Sequence, residues 1–280
     1  MHGRAPRLLI ALLIAGLLCA AATVEAQRRR GGFGGRGGFG FGTRTASPLD
    51  FDGRFHFCRI LFRNALEGDG GGWSVDYPRA DINLSIRLSE LTKLDVSKDT
   101  TGEPNHLLVR LTDDALFDCP FVMMTEPGGA GIDDQEAARL RLYLDKGGFL
   151  WADDFWGEYA WNWWVSQLRK ALPAADYPIF DLPLDHPMFH SQFEVKKIPQ
   201  IPSINFFFGG GRTSERGSDS AVPHARAIAD KNGRMIVLMT HNTDFGDSWE
   251  REGDDATYFL NFGPNGYAFG INAVLYALTH

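Results

Sequence analysis

The chain of 280 residues contains only three cysteines, and its N-terminal apolar run, residues 8–22, covers 15 residues. Three cysteines exclude a disulfide-rich scaffold, although one bridge is compatible with the sequence. A transmembrane helix needs about 20 apolar residues, so a membrane span is not the favoured interpretation of the run. Internal repeats are not visible. The sequence therefore indicates neither a small cross-linked protein nor a repeat protein.

The first 26 residues have the features of a secretory signal peptide. Arg4 and Arg7 precede the apolar run, and Val24 to Ala26 offer small or tolerated residues before a cleavage point. The alternatives are a retained anchor, which the short run disfavours, and a lipoprotein, which the two leucines before Cys19 disfavour. We expect cleavage near Ala26, contact with the membrane only during export, and a periplasmic or secreted mature protein.

Basic side chains are scarce after residue 44. Residues 1–44 hold seven of the 28 Lys and Arg residues and one of the 35 Asp and Glu residues, so residues 45–280 carry 21 basic and 34 acidic side chains, a formal charge of −13. Such a surface repels nucleic acid and anionic membranes, and it suits cations, sugars or basic partners.

Most of the early arginines lie in a low-complexity segment, Gln27 to Gly42. We predict that residues 27–48 form a disordered Gly/Arg-rich linker, because glycine offers no side chain for packing and arginine favours solvent. The alternative is an arm that binds RNA or another polyanion, with phenylalanines between the basic residues. We favour the linker, since an exported chain seldom meets RNA.

Residues 49–280 are predicted to form one α/β domain, which is long enough to bury a large core. A helix is predicted from Asp133, which can cap it together with Glu136, to Gly147, which can end it. The apolar run Phe149 to Ala152 then predicts a buried strand. Helix followed by buried strand is half of a βαβ crossover, so the sequence predicts a mostly parallel sheet with helices on both faces.

The predicted strand ends in two adjacent carboxylates, Asp153 and Asp154. Ligands of open α/β sheets bind at the carboxyl ends of strands, so the acids mark the expected functional edge. Other predicted strand exits add polar groups to the same edge: Arg63, Asn64, Glu126, His241 and Asp244. Asp153, Asp154 and Glu126 are the catalytic candidates, with Asp153 expected to be the best placed and Asp154 an alternative cap for the next helix. Adjacent strand residues usually point to opposite faces, which argues against both acids serving one substrate.

Aromatic residues near this edge are candidates for binding. Trp73 lies with Asp76 in a glycine-rich loop, residues 67–78, and Trp156 begins a predicted helix, residues 155–172, that contains three further tryptophans. They can stack against a sugar, or they can pack into the core.

Two segments are candidates for cation binding. Asp244 and Asp247 stand three residues apart in a glycine-containing loop, and they can hold Ca²⁺ or simply cap the loop. His186 and His190 have the i, i+4 spacing of metal ligands, with Asp185 beside them. Pro187 disfavours a long helix there, and an Asp–His pair that stabilises a turn is the alternative. A divalent cation at one of these two segments is a candidate ligand, and no other cofactor is predicted.

Several of these stretches, taken in order, resemble the domain-of-unknown-function 4159 family: GGFLWADD, LPLDHPMFHS, THNTDFGDSWE and GINAVLYALT. DCPFVMMTEPGG is also similar, with Cys119 where that family usually has an aromatic residue. The resemblance implies a flavodoxin-like sheet like that of the class I glutamine amidotransferases, and it implies no established activity.

True amidotransferases place a nucleophilic cysteine at the turn where this chain has Asp153 and Asp154, so hydrolysis of glutamine by a thiolate is not expected. If the sheet has the implied order, its first and third strands are neighbours and bring Cys58 close to Cys119. A disulfide is then compatible with an oxidising compartment, and two buried free thiols are the alternative.

These observations leave three functions open. The favoured one is an exported, non-catalytic module that binds an envelope protein or glycan at the acidic edge. The second is a hydrolase of envelope carbohydrate or peptide that uses the acids directly or through a metal. The third, and weakest, is polyanion binding by the arginine-rich linker.

Overall fold

The computed structural model describes residues 44–280. The predicted signal peptide and residues 27–43 of the predicted linker lie outside the described residues. Residues 44–48, which the sequence analysis assigned to the linker, contact the domain: the Ala46 amide donates a hydrogen bond to the Leu108 carbonyl at 2.8 Å. The domain therefore extends a few residues further toward the N-terminus than predicted.

Nine strands are present in residues 44–280: β1 (Phe57–Ile60), β2 (Arg63–Asn64), β3 (His106–Val109), β4 (Phe121–Thr125), β5 (Ala130–Gly131), β6 (Phe149–Phe155), β7 (Phe180–Asp181), β8 (His224–Ala229) and β9 (Met235–His241). The α-helices are α1 (Arg79–Leu91), α2 (Asp134–Asp145), α3 (Gly157–Ala171), α4 (Ile204–Gly210), α5 (Phe245–Glu250) and α6 (Ala256–Thr279).

Seven strands form one sheet in the order β3-β1-β4-β6-β9-β8-β7. The first five are parallel, and their order along the sheet follows the 2-1-3-4-5 pattern of flavodoxin-like folds. Strands β8 and β7 extend the sheet antiparallel at one edge. The predicted mostly parallel α/β fold is confirmed.

The two faces of the sheet bury different sets of side chains. Along β6, Phe149 and Trp151 pack toward α1, α5 and α6, whereas Leu150 and Ala152 pack toward α2 and α3. This alternation follows from the pleat of a strand, in which successive side chains point to opposite faces. Both faces are apolar because helices cover both.

Helix α2 is bounded by the residues that the sequence predicts to cap and to end it. Asp133 accepts a hydrogen bond from the Glu136 amide, and Glu136 accepts one from the Asp133 amide, both at 2.9 Å. Gly147 follows the helix with φ +98°, a backbone conformation that favours glycine. The chain then turns directly into β6.

The last helix, α6, begins at Ala256, where Asp255 accepts a hydrogen bond from the Tyr258 amide at 2.9 Å. Pro264 lies inside this helix, although proline ordinarily disfavours a helix interior. Within residues 44–280, no helix has both the length and the hydropathy that a membrane span requires.

Of the two states that the sequence left open for Cys58 and Cys119, the structure has the disulfide and not the free thiols. Cys58 lies in β1 and Cys119 lies two residues before β4, and the sheet order makes these strands neighbours. Their Cα atoms are 6.2 Å apart, and both residues are buried. Neither sulfur is therefore available as a free thiol.

Candidate functional site

The carboxyl end of β6 is irregular at the acid pair. The pairing of β6 with β9 shifts register between Ala152 and Phe155, so Asp153 and Asp154 together oppose one residue of β9. Asp154 has φ +60°. A bulge and a left-handed residue re-aim side chains, which lets the two neighbouring acids contact one cluster of acids despite the usual alternation.

Asp153 serves to anchor α5. One of its carboxylate oxygens accepts a hydrogen bond from the Thr240 hydroxyl, and the other accepts from the Phe245 amide at 2.9 Å and the Gly246 amide at 3.2 Å. These amides belong to the first turn of α5, where a carboxylate is favoured. Burial raises the pKa of Asp153 to about 7, against the effect of its hydrogen bonds.

The roles expected for the acid pair are thus reversed. Asp153 was expected to be the group best placed for a ligand, but its oxygens are taken up by α5 and Thr240. Asp154, considered as a cap for the next helix, instead accepts a hydrogen bond from Trp156 Nε1 at 2.9 Å and faces the other acids. Burial, followed by the charges of Glu126 and Asp76, raises its pKa well above the ordinary value.

Asp76 joins these acids from the glycine-rich loop after β2. It is 6 % exposed, and its Oδ2 atom is buried without a hydrogen-bond partner among the described residues. The close approach to α5 requires glycine at position 246, since a Cβ there would lie 2.3 Å from Asp76 Oδ2. Burial, followed by the charges of Asp247 and Glu250, raises the pKa of Asp76 well above its ordinary value.

A buried arginine holds the Asp76 loop in place. The Arg59 Nη1 atom donates to the carbonyl oxygens of Trp73 at 3.2 Å and Val75 at 3.0 Å. The same guanidinium pairs with the fully buried Asp81 of α1, with Nε donating to both carboxylate oxygens at 3.1 and 3.0 Å. An ion pair without solvent exposure fixes geometry because neither partner can turn to water.

Asp244 and Asp247 bring carboxylates from the loop after β9. Asp244 caps α5 by accepting a hydrogen bond from the Asp247 amide at 2.7 Å. Asp247 accepts from Arg251 Nε at 3.1 Å and from the Ile204 amide at 2.6 Å. One ligand atom from each of Asp76, Asp244 and Asp247 lies within 4.8 Å of the other two.

Glu126 follows β4 with φ +50° and is the least buried of these acids. Its Oε2 atom accepts hydrogen bonds from the amides of Gly71 and Gly72. Burial raises the pKa of Glu126 to about 7. We call the six carboxylates that meet here the acid cluster: Asp76, Glu126, Asp153, Asp154, Asp244 and Asp247.

The backbone around the acid cluster is strained. Within residues 44–280, the non-glycine residues with positive φ are Asp76, Glu126, Asp154 and Asn242. Asp154 lies near the end of β6, and the other three lie in the loops that follow β2, β4 and β9. Three of the four belong to the acid cluster. Such conformations cost about 1–3 kcal/mol each and concentrate at functional sites.

Other predicted residues of the edge lie outside the acid cluster. Arg63 and Asn64 are exposed and form β2, which pairs with β5, and Arg63 makes ion pairs with Asp133 and Glu136 of α2. Trp73 is half-buried and packs on the core, and Trp156 is 7 % exposed. Trp73 and Trp156 therefore contribute mainly to packing, which is the alternative that the sequence left open for them.

His241 lies on the opposite face of the sheet from the cluster residue Asp153. Its ring packs against Phe155 and Trp161, with centroids 5.1 and 5.2 Å away, and its Nε2 atom is 3.0 Å from the Gly157 carbonyl. Thr240, the preceding residue, points to Asp153. Alternation along β9 thus separates His241 from the acids.

The two histidines of the candidate metal set Asp185, His186 and His190 have other partners. The two ring nitrogens of His190 lie 2.9 Å from Glu194 and 2.9 Å from the Leu184 carbonyl. His186 caps a short 3₁₀ helix, Pro187–His190, and accepts a hydrogen bond from the Met188 amide at 3.2 Å. Both histidines therefore stabilise a turn, as the alternative required, but the acid that pairs with His190 is Glu194 and not Asp185.

Asp76 was not predicted as a site residue, since an acid in a glycine-rich loop gives no signal by itself. The unusual feature that accompanies it is Arg59, a charged residue inside the otherwise apolar strand β1. A buried arginine needs hydrogen-bond acceptors that are buried with it. Arg59 therefore indicates that a loop with free carbonyl oxygens and a carboxylate packs against this strand.

Comparison with family models shows a match to a domain of unknown function (DUF4159) over residues 62–278. The matched region contains every residue of the acid cluster. The comparison with curated proteins found no match.

Proposed function

This chain belongs to the DUF4159 family, and we propose that it is an exported, non-catalytic binding module whose acid cluster takes a cationic ligand. The observation that carries the proposal is the burial together of Asp76, Asp154 and Asp244, with one oxygen of Asp76 lacking a partner in residues 44–280. Buried carboxylates require either protons or a cation, because an uncompensated buried charge is very costly. The proposal of export rests on the features of residues 1–26.

The state of the cysteines supports binding rather than thiol chemistry. Cys58 and Cys119 are joined to each other. Asp153 and Asp154 occupy the end of β6, where the family resemblance implies the nucleophile position of an amidotransferase. A disulfide sulfur cannot serve as a thiolate nucleophile without prior reduction.

The enclosure of the cluster supports a small ligand. Asp153, Asp154 and Asp244 are each at most 5 % exposed, so a glycan or peptide cannot reach these carboxylates unless the loops move. A small cation needs far less space. An envelope protein or glycan would then contact the outer surface of the loops that the cation orders.

Thermal unfolding with a panel of ligands tests the proposal. We expect at least one of Ca²⁺, Mg²⁺, Mn²⁺ and spermidine to raise the Tm of the mature chain by several degrees, and a neutral disaccharide to leave it unchanged. Asp244→Asn should abolish the shift, and Asp176→Asn, at an exposed position, should retain it. A Tm unaffected by every cation, or an unchanged shift in Asp244→Asn, would refute the proposal.

Glu126 favours a second candidate, a hydrolase of envelope carbohydrate or peptide. It is the partly exposed member of the cluster, and its pKa of about 7 suits a general base at neutral pH. The backbone amides of Gly71 and Gly72 hold its carboxylate in place. Turnover of peptidoglycan fragments or chromogenic glycosides that is lost in Glu126→Gln would favour the hydrolase. The binding module predicts no turnover by either protein.

A further inference from the structure

We propose that Asp76, Asp244 and Asp247 form a site for one Ca²⁺ ion. This inference rests on the proposed function and specifies its ligand. The three carboxylates come from two separate segments, the loop before α1 and the loop that begins α5. A bound ion would therefore fasten these segments to each other at the carboxyl edge of the sheet.

The separation of the ligand atoms fits a single ion. One oxygen from each of the three aspartates lies within 4.8 Å of the other two. Calcium binds oxygens at about 2.3–2.6 Å, so ligands on opposite sides of one ion are about 5 Å apart. All three oxygens can thus contact one ion without a large movement of the backbone.

The unpartnered oxygen of Asp76 is the observation that points to a ligand. Asp76 is more than nine-tenths buried, and its Oδ2 atom has no hydrogen-bond partner within the described part of the chain. Buried carboxylate oxygens are almost always satisfied, and an unsatisfied one costs free energy. The carboxylates of Asp244 and Asp247 lie beside Asp76, and they can be joined to it only through a proton or a cation.

The surrounding charge favours a cation over continued protonation at neutral pH. Asp153, Asp154, Glu126 and Glu250 add further carboxylates around the three aspartates. Arg251 contacts Asp247, whereas Arg59 is already paired with Asp81. The two positive charges of a bound Ca²⁺ ion would offset the repulsion among these carboxylates, which the neighbouring arginines leave largely uncompensated.

The remaining hydrogen bonds of the set are compatible with ligation. Asp244 uses Oδ1 to cap α5, which leaves Oδ2 for an ion. Asp247 Oδ2 accepts hydrogen bonds from the Ile204 amide and the Tyr258 hydroxyl, and Oδ1 accepts one from Arg251 Nε. Because a carboxylate oxygen has two acceptor positions, Oδ1 keeps one for an ion. Ligation therefore does not require α5 to lose its cap.

The donor set selects the class of metal. All three ligands are carboxylates, which suit hard cations, and His241 lies on the other face of the sheet. Ca²⁺ takes many protein oxygens in flexible geometry, whereas Mg²⁺ keeps several waters and demands octahedral order. Aspartates that are each at most 6 % exposed leave little room for such waters, so the site is expected to prefer Ca²⁺.

Calorimetric titration of the chelator-treated mature chain with CaCl₂ tests the site. We expect one ion per chain, weaker binding of MgCl₂, and a Tm increase of about 5–11 °C at a hundredfold excess over Kd. In Asp76→Asn the affinity for Ca²⁺ should fall on the order of 100-fold, because a charged ligand is lost. Asp176→Asn, the matched exposed substitution, should bind as the unsubstituted chain does.

The Tm in chelator keeps the test decisive if a variant binds poorly. Because Asp76→Asn removes a buried charge, the Tm of this variant in chelator should equal or exceed that of the unsubstituted chain. Such a result would show that the variant folds and that its weaker Ca²⁺ binding is not caused by unfolding. Equal Ca²⁺ affinity in Asp76→Asn, stronger binding of Mg²⁺ than of Ca²⁺, or no binding at millimolar Ca²⁺ would overturn the inference. If spermidine or Mn²⁺ still raises the Tm, the proposed cationic ligand survives; if none does, both proposals fail.

Discussion

The disulfide between Cys58 and Cys119 allows a quantitative prediction of stability. The bond closes a loop with a sequence separation of 61 residues. The chain-entropy relation for a loop of that length gives a stabilisation of about 4 kcal/mol. For a domain of this size, each kcal/mol shifts Tm by about 2–4 °C, so removal of the bond should lower Tm by about 8–16 °C.

The assay is thermal and urea unfolding of Cys58→Ala, Cys119→Ala and the double variant, in mature protein that lacks residues 1–26. Each single substitution breaks the same cross-link, so all three variants should lose nearly the same free energy of unfolding. If the two side chains stabilised the fold only by packing, the loss of unfolding free energy in the double variant would instead equal the sum of the losses in the two single variants. Both residues are buried, so a small cavity term accompanies each substitution.

Two outcomes would refute this reasoning. If the free energy of unfolding of the double variant lay within about 1 kcal/mol of that of the unsubstituted chain, the disulfide would not reduce the entropy of the unfolded chain as the chain-entropy relation requires. Two titratable thiols in the unfolded, unreduced protein would show that the bond does not form.

Two further predictions concern buried charge. Burial raises the pKa of Glu126 and Asp153 to about 7, above values of about 4 in unfolded chains, so the folded state holds protons that the unfolded state releases. In chelator, the free energy of unfolding by urea should therefore fall as the pH rises from about 4 to about 7; a rise across that window would contradict the assignment. Asp81→Asn should cost about 3–5 kcal/mol in thermal unfolding because it leaves Arg59 charged and buried, whereas Asp145→Asn, at an exposed ion pair, should cost less than about 1 kcal/mol. Equal losses in these two variants would contradict the structural role of the buried pair.

The sequence predicts best the features that neighbouring residues decide. Asp133 and Glu136 begin α2 and Gly147 ends it through contacts within a few positions. The apolar run from Phe149 identifies a strand covered on both faces, and with it a parallel sheet. The disulfide was accessible by one further step, since the strand order implied by the family resemblance makes β1 and β4 neighbours.

The membership of the acid cluster depends instead on how the loops fold. Asp76 precedes Asp244 by more than 160 positions, and only the path of the Arg59-anchored loop brings the two together. The left-handed conformation of Asp154 decides that Asp153 anchors α5 while Asp154 faces the other acids. Strand alternation, in contrast, does separate His241 from Thr240, a distinction that the sequence contains.

The sequence by itself determined the elements, the parallel sheet and the edge at which its carboxylates collect, because periodicity, capping and glycine stops act over a few residues. Only the tertiary structure decided which carboxylates lie together in the interior, and that Asp76 Oδ2 is buried without a partner in residues 44–280. The proximity of these carboxylates and their burial depend on contacts between segments far apart in the chain. Proximity and burial in turn determine the pKa of each carboxylate.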